Sequence, residues 1–170
     1  DGLNDAPVLA QADVAQAADV ERVLAEAQRT MPALAGVVHA AGALDDGVLT
    51  ALTWPRFETA MAAKVRGSWN LHRLTGPLDF FVMFSSGAGL LGAPGQGNYA
   101  AANCFMDGFA AWRRAQGRPA LSINWGSWSQ VGMASGVGES HHRRWAAMGL
   151  QMIDPPHGVQ MLQDLLYRAE

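Results

Sequence analysis

Lysine is almost absent from this chain. Of its 12 basic residues all but one are arginine, and the exception is Lys64. Cysteine is as scarce: Cys104 stands alone, which excludes an internal disulfide and fits a reducing compartment, so a cytoplasmic location is expected. No apolar run approaches the ~20 residues that span a bilayer. No charged-then-apolar leader follows Asp1, so no secretory signal and no membrane partner are expected. The formal net charge is −3 and long basic runs are missing, which argues against nucleic acid as a partner. His141 and His142 adjoin Arg143 and Arg144, but no second cluster accompanies them. They read as a solvated face, and no metal site is expected.

What remains is a chain of 170 residues, about half of them apolar, enough for one domain with a core. Short apolar runs alternate with helical patterns, the signature of βαβ units and a parallel sheet. Strands are predicted at residues 7–12, 34–40, 78–85 and 120–124. The run Phe80-Phe81-Val82-Met83-Phe84 suits a strand buried on both faces. Asp13 is a candidate cap for a helix through Val20, Val23, Leu24 and Ala27. Thr53 and Pro55 open a helix running to about Leu74, with Phe57, Met61 and Leu71 on its inner stripe. Residues 87–97 read as a glycine-rich loop, and Asn98 as the cap of a helix from Tyr99 to about Gln116. Residues 127–138 read as a mobile loop. From about Ser140 the chain is expected to be helical, broken at Pro155 and Pro156. The fold class is α/β, a doubly wound parallel sheet.

Open parallel sheets bind ligands at the carboxyl ends of their strands. Three predicted strands end in small or polar residues: His39-Ala40-Ala41-Gly42, Ser85-Ser86-Gly87 and Asn124-Trp125-Gly126. Small residues there admit a flat ligand to the backbone, although turning the chain is a sufficient role for any one glycine. Lys64 lies seven residues after Phe57 and so falls on the inward stripe, where an unpaired ammonium is costly unless it snorkels out. Tyr99 and Asn103, four apart, share a helix face with Met106, while Phe105, Phe109 and Trp112 form a separate packing stripe. Ser86 ends the most buried strand, where its hydroxyl either meets a ligand or satisfies the adjoining loop. A hydroxyl, a phenol and a cation at the mouth of one sheet suit the polarisation of a ketone while a hydride arrives, because a nearby ammonium favours a phenolate.

These residues resemble the short-chain dehydrogenase/reductase superfamily. Most members carry Tyr-x-x-x-Lys and an Asn on the preceding helix. Here the two have exchanged places: Tyr99-Ala100-Ala101-Ala102-Asn103, with Lys64 in Ala63-Lys64-Val65-Arg66-Gly67. That exchange resembles the ketoreductase domains of modular polyketide synthases, and the likeness covers nearly the whole chain. It implies Tyr99 as general acid, Ser86 as donor to the carbonyl, Lys64 as the partner of the phenol and the nicotinamide ribose, and Asn103 as support for Lys64 and a relay water. It further implies NADPH as cofactor, held by Asp13, Val14, His39, Ala40, Ala41, Gly42, Lys64, Tyr99, Asn124, Trp125 and Gly126.

The implied reaction is reduction of a β-ketoacyl thioester, tethered through phosphopantetheine to an acyl carrier protein, with the other domains of the synthase as neighbours. Leu44-Asp45-Asp46 looks like the motif of B-type enzymes, which without the resemblance would pass for a solvated acidic turn. Leu91 stands where A-type enzymes carry tryptophan, and Ala101 is not the proline associated with epimerised substrates. B-type stereochemistry without epimerisation is therefore expected. Met133 sits in the loop of residues 127–138, expected to form a lid. The family's Gly-x-Gly-x-x-Gly loop has no counterpart here, so residues 1–170 are expected to be a partial domain, the catalytic half, lacking the first Rossmann half and the last strand. Such a sheet exposes apolar edges and is expected to need its parent polypeptide. A non-catalytic reductase-like scaffold and a free-standing dehydrogenase of small ketones are the competing readings. Intact Lys64, Ser86, Tyr99 and Asn103 disfavour the first, and the Lys/Asn exchange with Leu44-Asp45-Asp46 disfavours the second.

Overall fold

The computed structural model describes residues 8–133, 146 and 149–168. Three strands form one parallel sheet in the order β1-β2-β3: β1 (Gly36–His39), β2 (Phe80–Ser86) and β3 (Leu121–Trp125). Gly36 lies opposite Phe80 and His39 opposite Met83, while Ser85 and Ser86 face Asn124 and Trp125. All three carboxyl ends therefore open on the same edge. Around the sheet run α1 (Ala17–Thr30), α2 (Trp54–Met61), α3 (Ser68–Leu74), α4 (Gly87–Leu91), α5 (Gly97–Ala115) and α6 (Pro155–Arg168). A π-helical turn, Ala62–Gly67, joins α2 to α3 and carries Lys64.

The core is built where α5 crosses the sheet. Phe81 and Met83 meet Met106, Phe109 and Ala110, with Val37, Leu71 and Ala120 at the margin. Phe81, Val82 and Met83 are consecutive and buried, so β2 is covered on both faces, as a central strand must be. Each of the three buries ~1.5–3 kcal/mol of apolar side chain, upper estimates for a chain whose unfolded state is partly compact. The α/β class and the parallel sheet follow the alternation seen in the sequence.

Several details differ from expectation. Residues 8–12 are not a strand: Val8 and Leu9 are exposed and find no ladder to join. Asp13 does not cap α1. Its Oδ1 accepts from the Ala15 amide in a tight local turn, and the helix begins four residues later behind Gln16. The glycine-rich segment holds the short helix α4, started by the Ser86 hydroxyl, which accepts from the Ala88 amide. The cap position of α5 is Gln96, because Asn98 is already inside the helix. Cys104, expected from its place after Asn103 to be a small buried hydrophobe, is exposed, since one step past Asn103 turns ~100° off the inner stripe. The proline pair opens α6 instead of breaking a helix, as proline does at a first turn. The start of the supposed mobile loop is pinned: Ser129 donates to the Ile153 carbonyl and Ile153 to that of Ser127, both at 2.8 Å. The rest of that loop after Met133, and His141 to Arg144, lie outside the described residues.

Candidate active site

At the carboxyl edge of the sheet the chain buries its single ammonium. Lys64 is 2% exposed. Its Nζ donates to the Phe84 carbonyl at 2.8 Å, touches Met106 Sδ at 3.7 Å and lies 5.5 Å from the centre of the Tyr99 ring. Among the described residues no carboxylate pairs with it within 4.0 Å. Burial lowers its pKa to about 8, with Asp107 pulling the other way. The ammonium is thus the dominant form at neutrality, held in place by one good oxygen acceptor out of the three it can serve.

Tyr99 is 8% exposed, and no described residue takes a hydrogen bond from its hydroxyl. Asn103, one turn on, is fully buried: its Nδ2 donates to the Tyr99 carbonyl at 2.8 Å, while its Oδ1 has no partner among the described residues. Ser86 sits at the last position of β2, partly buried; its hydroxyl oxygen accepts from the first turn of α4 and leaves its own proton to donate. Lys64, Tyr99 and Asn103 are brought together, with Ser86 on the adjacent strand end.

Apart from Lys64 and Tyr99, the expected cofactor residues lie at the ends of β1 and β3 and before α1. Ala40, Ala41 and Gly42 follow the end of β1. A methyl group at Gly42 would lie 3.2 Å from Lys64 Cε and 3.7 Å from Met133 Cε, so Gly42 is a close approach between that turn and the lysine. His39, just before them, is buried, and its Nε2 meets the Ala63 carbonyl at 3.0 Å. Burial lowers its pKa to about 4, and nearby Lys64 adds to this, so His39 is neutral and donates through Nε2. Asn124, Trp125 and Gly126 close β3, with the Trp125 indole nitrogen buried and unpartnered. Asp13 and Val14 precede α1; Asn70 donates to the Val14 carbonyl at 3.0 Å, and the Val14 side chain and the His39 ring meet beside Gly67. The Lys64 ammonium, the orphaned Asn103 Oδ1 and the small residues of the Gly42 turn fit the ribose and carboxamide of a nicotinamide nucleotide.

Leu44, Asp45 and Asp46 form a loop against the start of α5. Arg56 Nε lies 3.5 Å from Asp45 Oδ1, and Gln96 donates to Asp46 Oδ2 at 2.8 Å. Leu91, on α4, is 74% exposed, and Met133 is half-exposed.

Two participants had no site role in the sequence: Asp107, and Asn98, which read only as a helix cap. Asp107 accepts from Ser122 at 2.5 Å and from Asn124 at 2.8 Å, fixing the end of β3. Asn124 also reaches Ser85 Oγ at 3.3 Å, and Ser85 donates to the Asn103 carbonyl at 3.3 Å. The spacing Tyr99, Asn103, Asp107 is one helix face, a signal available beforehand. Asn98 is the other, fully buried beside Tyr99.

The KR domain family model matches residues 6–130. The chain is 44% identical over 157 residues to the phenolphthiocerol synthesis polyketide synthase type I Pks15/1 of Mycobacterium bovis, covering 91% of this chain and 7% of that protein. It is 45% identical over 152 residues to the mycoketide-CoA synthase of Mycobacterium tuberculosis, covering 88% of this chain and 4% of the relative. One relative in the same organism, 43% identical over 157 residues, covering 91% of this chain and 10% of the relative, carries the word inactive in its name. Among solved structures, the first ketoreductase of the tylosin PKS superposes with a TM-score of 0.79 at 42% identity, over 93% of this chain and 34% of that one. An A1-type ketoreductase superposes with a TM-score of 0.87 at 36% identity, over 95% and 34%. The chain thus spans about a third of these ketoreductases, and it belongs to the KR domain family, the ketoreductase domains of modular polyketide synthases.

Proposed function

We propose that this chain is the catalytic part of a ketoreductase that reduces a β-ketoacyl thioester with NADPH, the thioester being carried on the phosphopantetheine arm of an acyl carrier protein. The observation that carries the reading is the buried Lys64 ammonium set 5.5 Å from the Tyr99 ring, with hydrogen-bonding capacity left over. When bound, the reduced nicotinamide supplies the hydride. Tyr99 donates its phenolic proton to the oxygen of the ketone being reduced. Lys64 stabilises the phenolate that remains and holds the nicotinamide ribose. Ser86, whose hydroxyl oxygen accepts from the Ala88 amide, donates its own proton to the ketone oxygen, where negative charge develops. Asn103 offers its free Oδ1 to a relay water between it and Lys64. Ala40 to Gly42 and Asn124 to Gly126 would hold the cofactor, with Asp13 and Val14 serving its adenine.

Leu44, Asp45 and Asp46, with leucine at position 91 and Met133 beside the Gly42 turn, mark a B-type hydroxyl configuration. The A-type neighbours share the fold, so type is decided by these side chains and not by architecture. The chain's share of the related structures supports a larger parent domain that supplies the pyrophosphate site, in a cytoplasmic synthase. A scaffold role is the second reading, favoured by the relative named as inactive. The assay uses the parent protein, a β-ketoacyl thioester, and NADPH or NADH, followed by chiral analysis of the alcohol. The expected result is NADPH-dependent formation of one β-hydroxy epimer. Tyr99→Phe is expected to lower kcat by roughly 10²–10⁴-fold with cofactor affinity retained. Near-normal turnover of that variant removes Tyr99 from this role, and no turnover by the parent itself favours the scaffold.

A further inference from the structure

We infer that Asp107 is a positioning residue: through Asn124 it closes a ring of hydrogen bonds that sets the last residues of β2 against the Tyr99 face of α5. This rests on the ketoreductase reading above and adds a residue to it. Asp107 Oδ2 accepts from Asn124 Nδ2 at 2.8 Å. The same Nδ2 lies 3.3 Å from Ser85 Oγ and 3.3 Å from the Ser86 carbonyl. Ser85 Oγ donates in turn to the Asn103 carbonyl at 3.3 Å, and Asn103 stands one turn before Asp107 on α5. The path thus runs from α5 to the end of β3, on to the end of β2 and back to α5. Its direction is fixed, because a reversed Asn124 carboxamide sets an oxygen against the Asp107 carboxylate and the Ser86 carbonyl.

The chain places polar residues on this ring where packing alone would take apolar ones. Ser85 follows Phe81 and Met83 on the face of β2 that packs on α5, and it is 4% exposed. A hydroxyl buried there is costly unless it is bonded. The end of β2 carries much of the reacting set. The Phe84 carbonyl accepts from Lys64, Ser85 belongs to the ring, and Ser86 presents the hydroxyl proposed for the ketone. Tyr99 and Asn103 share the α5 face with Asp107. A slip between β2 and α5 therefore moves Ser86 and the Lys64 acceptor relative to the phenol. The carboxylate has a second effect. The titratable groups facing Lys64 are His39 from β1, which is neutral, and Tyr99 and Asp107 from α5. Asp107 favours the charged lysine, against the burial that lowers its pKa to about 8.

Three variants of the parent synthase, assayed with a β-ketoacyl thioester and NADPH, separate the ring from the charge. Asp107→Ala opens the ring, and we expect kcat to fall roughly 10- to 100-fold, the cost of a small misplacement of reacting groups. Asp107→Asn can still accept from Asn124 and donate to Ser122, and we expect its kcat to stay within about threefold of the wild type. Both variants remove the carboxylate, so in both the alkaline limb of kcat/KM moves to lower pH. Ser85→Ala opens the ring at another link and keeps the carboxylate: kcat falls several-fold and the limb stays; it decides the matter should Asp107→Ala not fold. A residue with only a structural role lowers thermal stability and leaves kcat per folded molecule and the limb alone. A wild-type kcat in folded Asp107→Ala or Ser85→Ala overturns the inference while the ketoreductase reading stands. So does an Asp107→Asn as slow as Asp107→Ala, because the charge and not the ring would then be what matters. A parent protein that reduces no ketoacyl thioester removes both.

Discussion

Two cations lie buried against β2, and the protein treats them in opposite ways. Arg113, 3% exposed near the amino end of the strand, has a partner at each of its three nitrogens. Its Nε and Nη2 donate to the Pro119 carbonyl at 3.3 and 3.2 Å, its Nη1 meets His72 Nδ1 at 2.6 Å, and the guanidinium lies 4.0 Å from the centre of the Phe81 ring. Trp69, Phe109 and Trp112 wrap His72 with ring centroids 5.1–5.6 Å away. Lys64, at the carboxyl end, has one oxygen acceptor, a thioether and the edge of a phenol's domain. Both groups carry the desolvation cost of a buried charge, and only Arg113 recovers it within the described residues. A buried cation that is finished internally holds a fold together. One left unfinished at a sheet mouth is available to a ligand.

The comparison is broken most forcefully at Arg113. Arg113→Met leaves the Pro119 carbonyl and His72 without their donors and is expected to cost about 1–3 kcal/mol of stability, read from denaturant midpoints of the parent protein, with turnover per folded molecule unchanged. A loss of turnover at constant stability merges the two regions into one functional unit. His39 sharpens the contrast through pH. Its folded pKa, about 4, lies below the unfolded value of 6.5, so its contribution is complete above pH 6.5 and is lost as pH falls toward 4. Acid unfolding of the parent protein is expected to show this as up to ~3 kcal/mol lost across that window. His39→Gln is expected to flatten the slope; an unchanged slope places the proton elsewhere.

Much of this was legible in the sequence, and the failures have physical causes. Lys64 was placed on the inner stripe by helical spacing alone. The sheet was visible because β2 is a run of buried apolar residues and because small residues punctuate each strand end. Residues 8–12 misled because an apolar run becomes a strand only beside a free ladder, which no local pattern announces. The helix α4 was hidden in a glycine-rich segment, since its start depends on one Ser86 hydroxyl. Asn98 looked like a cap because Asn caps helices; its true partners, the Asp45 and Arg56 carbonyls, are 53 and 42 residues away in sequence. The π-helical turn around Lys64 was invisible for a similar reason: it adjusts the helix to its tertiary neighbours, and such turns recur at functional sites.

The most direct test of the central claim is Lys64→Met in the parent protein, scored for turnover and stability together. The folded pKa of Lys64, about 8, lies below the unfolded value of 10.5, so the fold bears the cost of the charged side chain at pH 7 and sheds it as pH rises from 8 to 10.5. The variant is expected to be more stable at pH 7 by up to ~3 kcal/mol, with that advantage closing toward pH 10.5, while ketone reduction falls at least ~10²-fold. A variant that is less stable at pH 7 yet reduces the ketone at the normal rate contradicts the account, because Lys64 would then be a structural cation like Arg113.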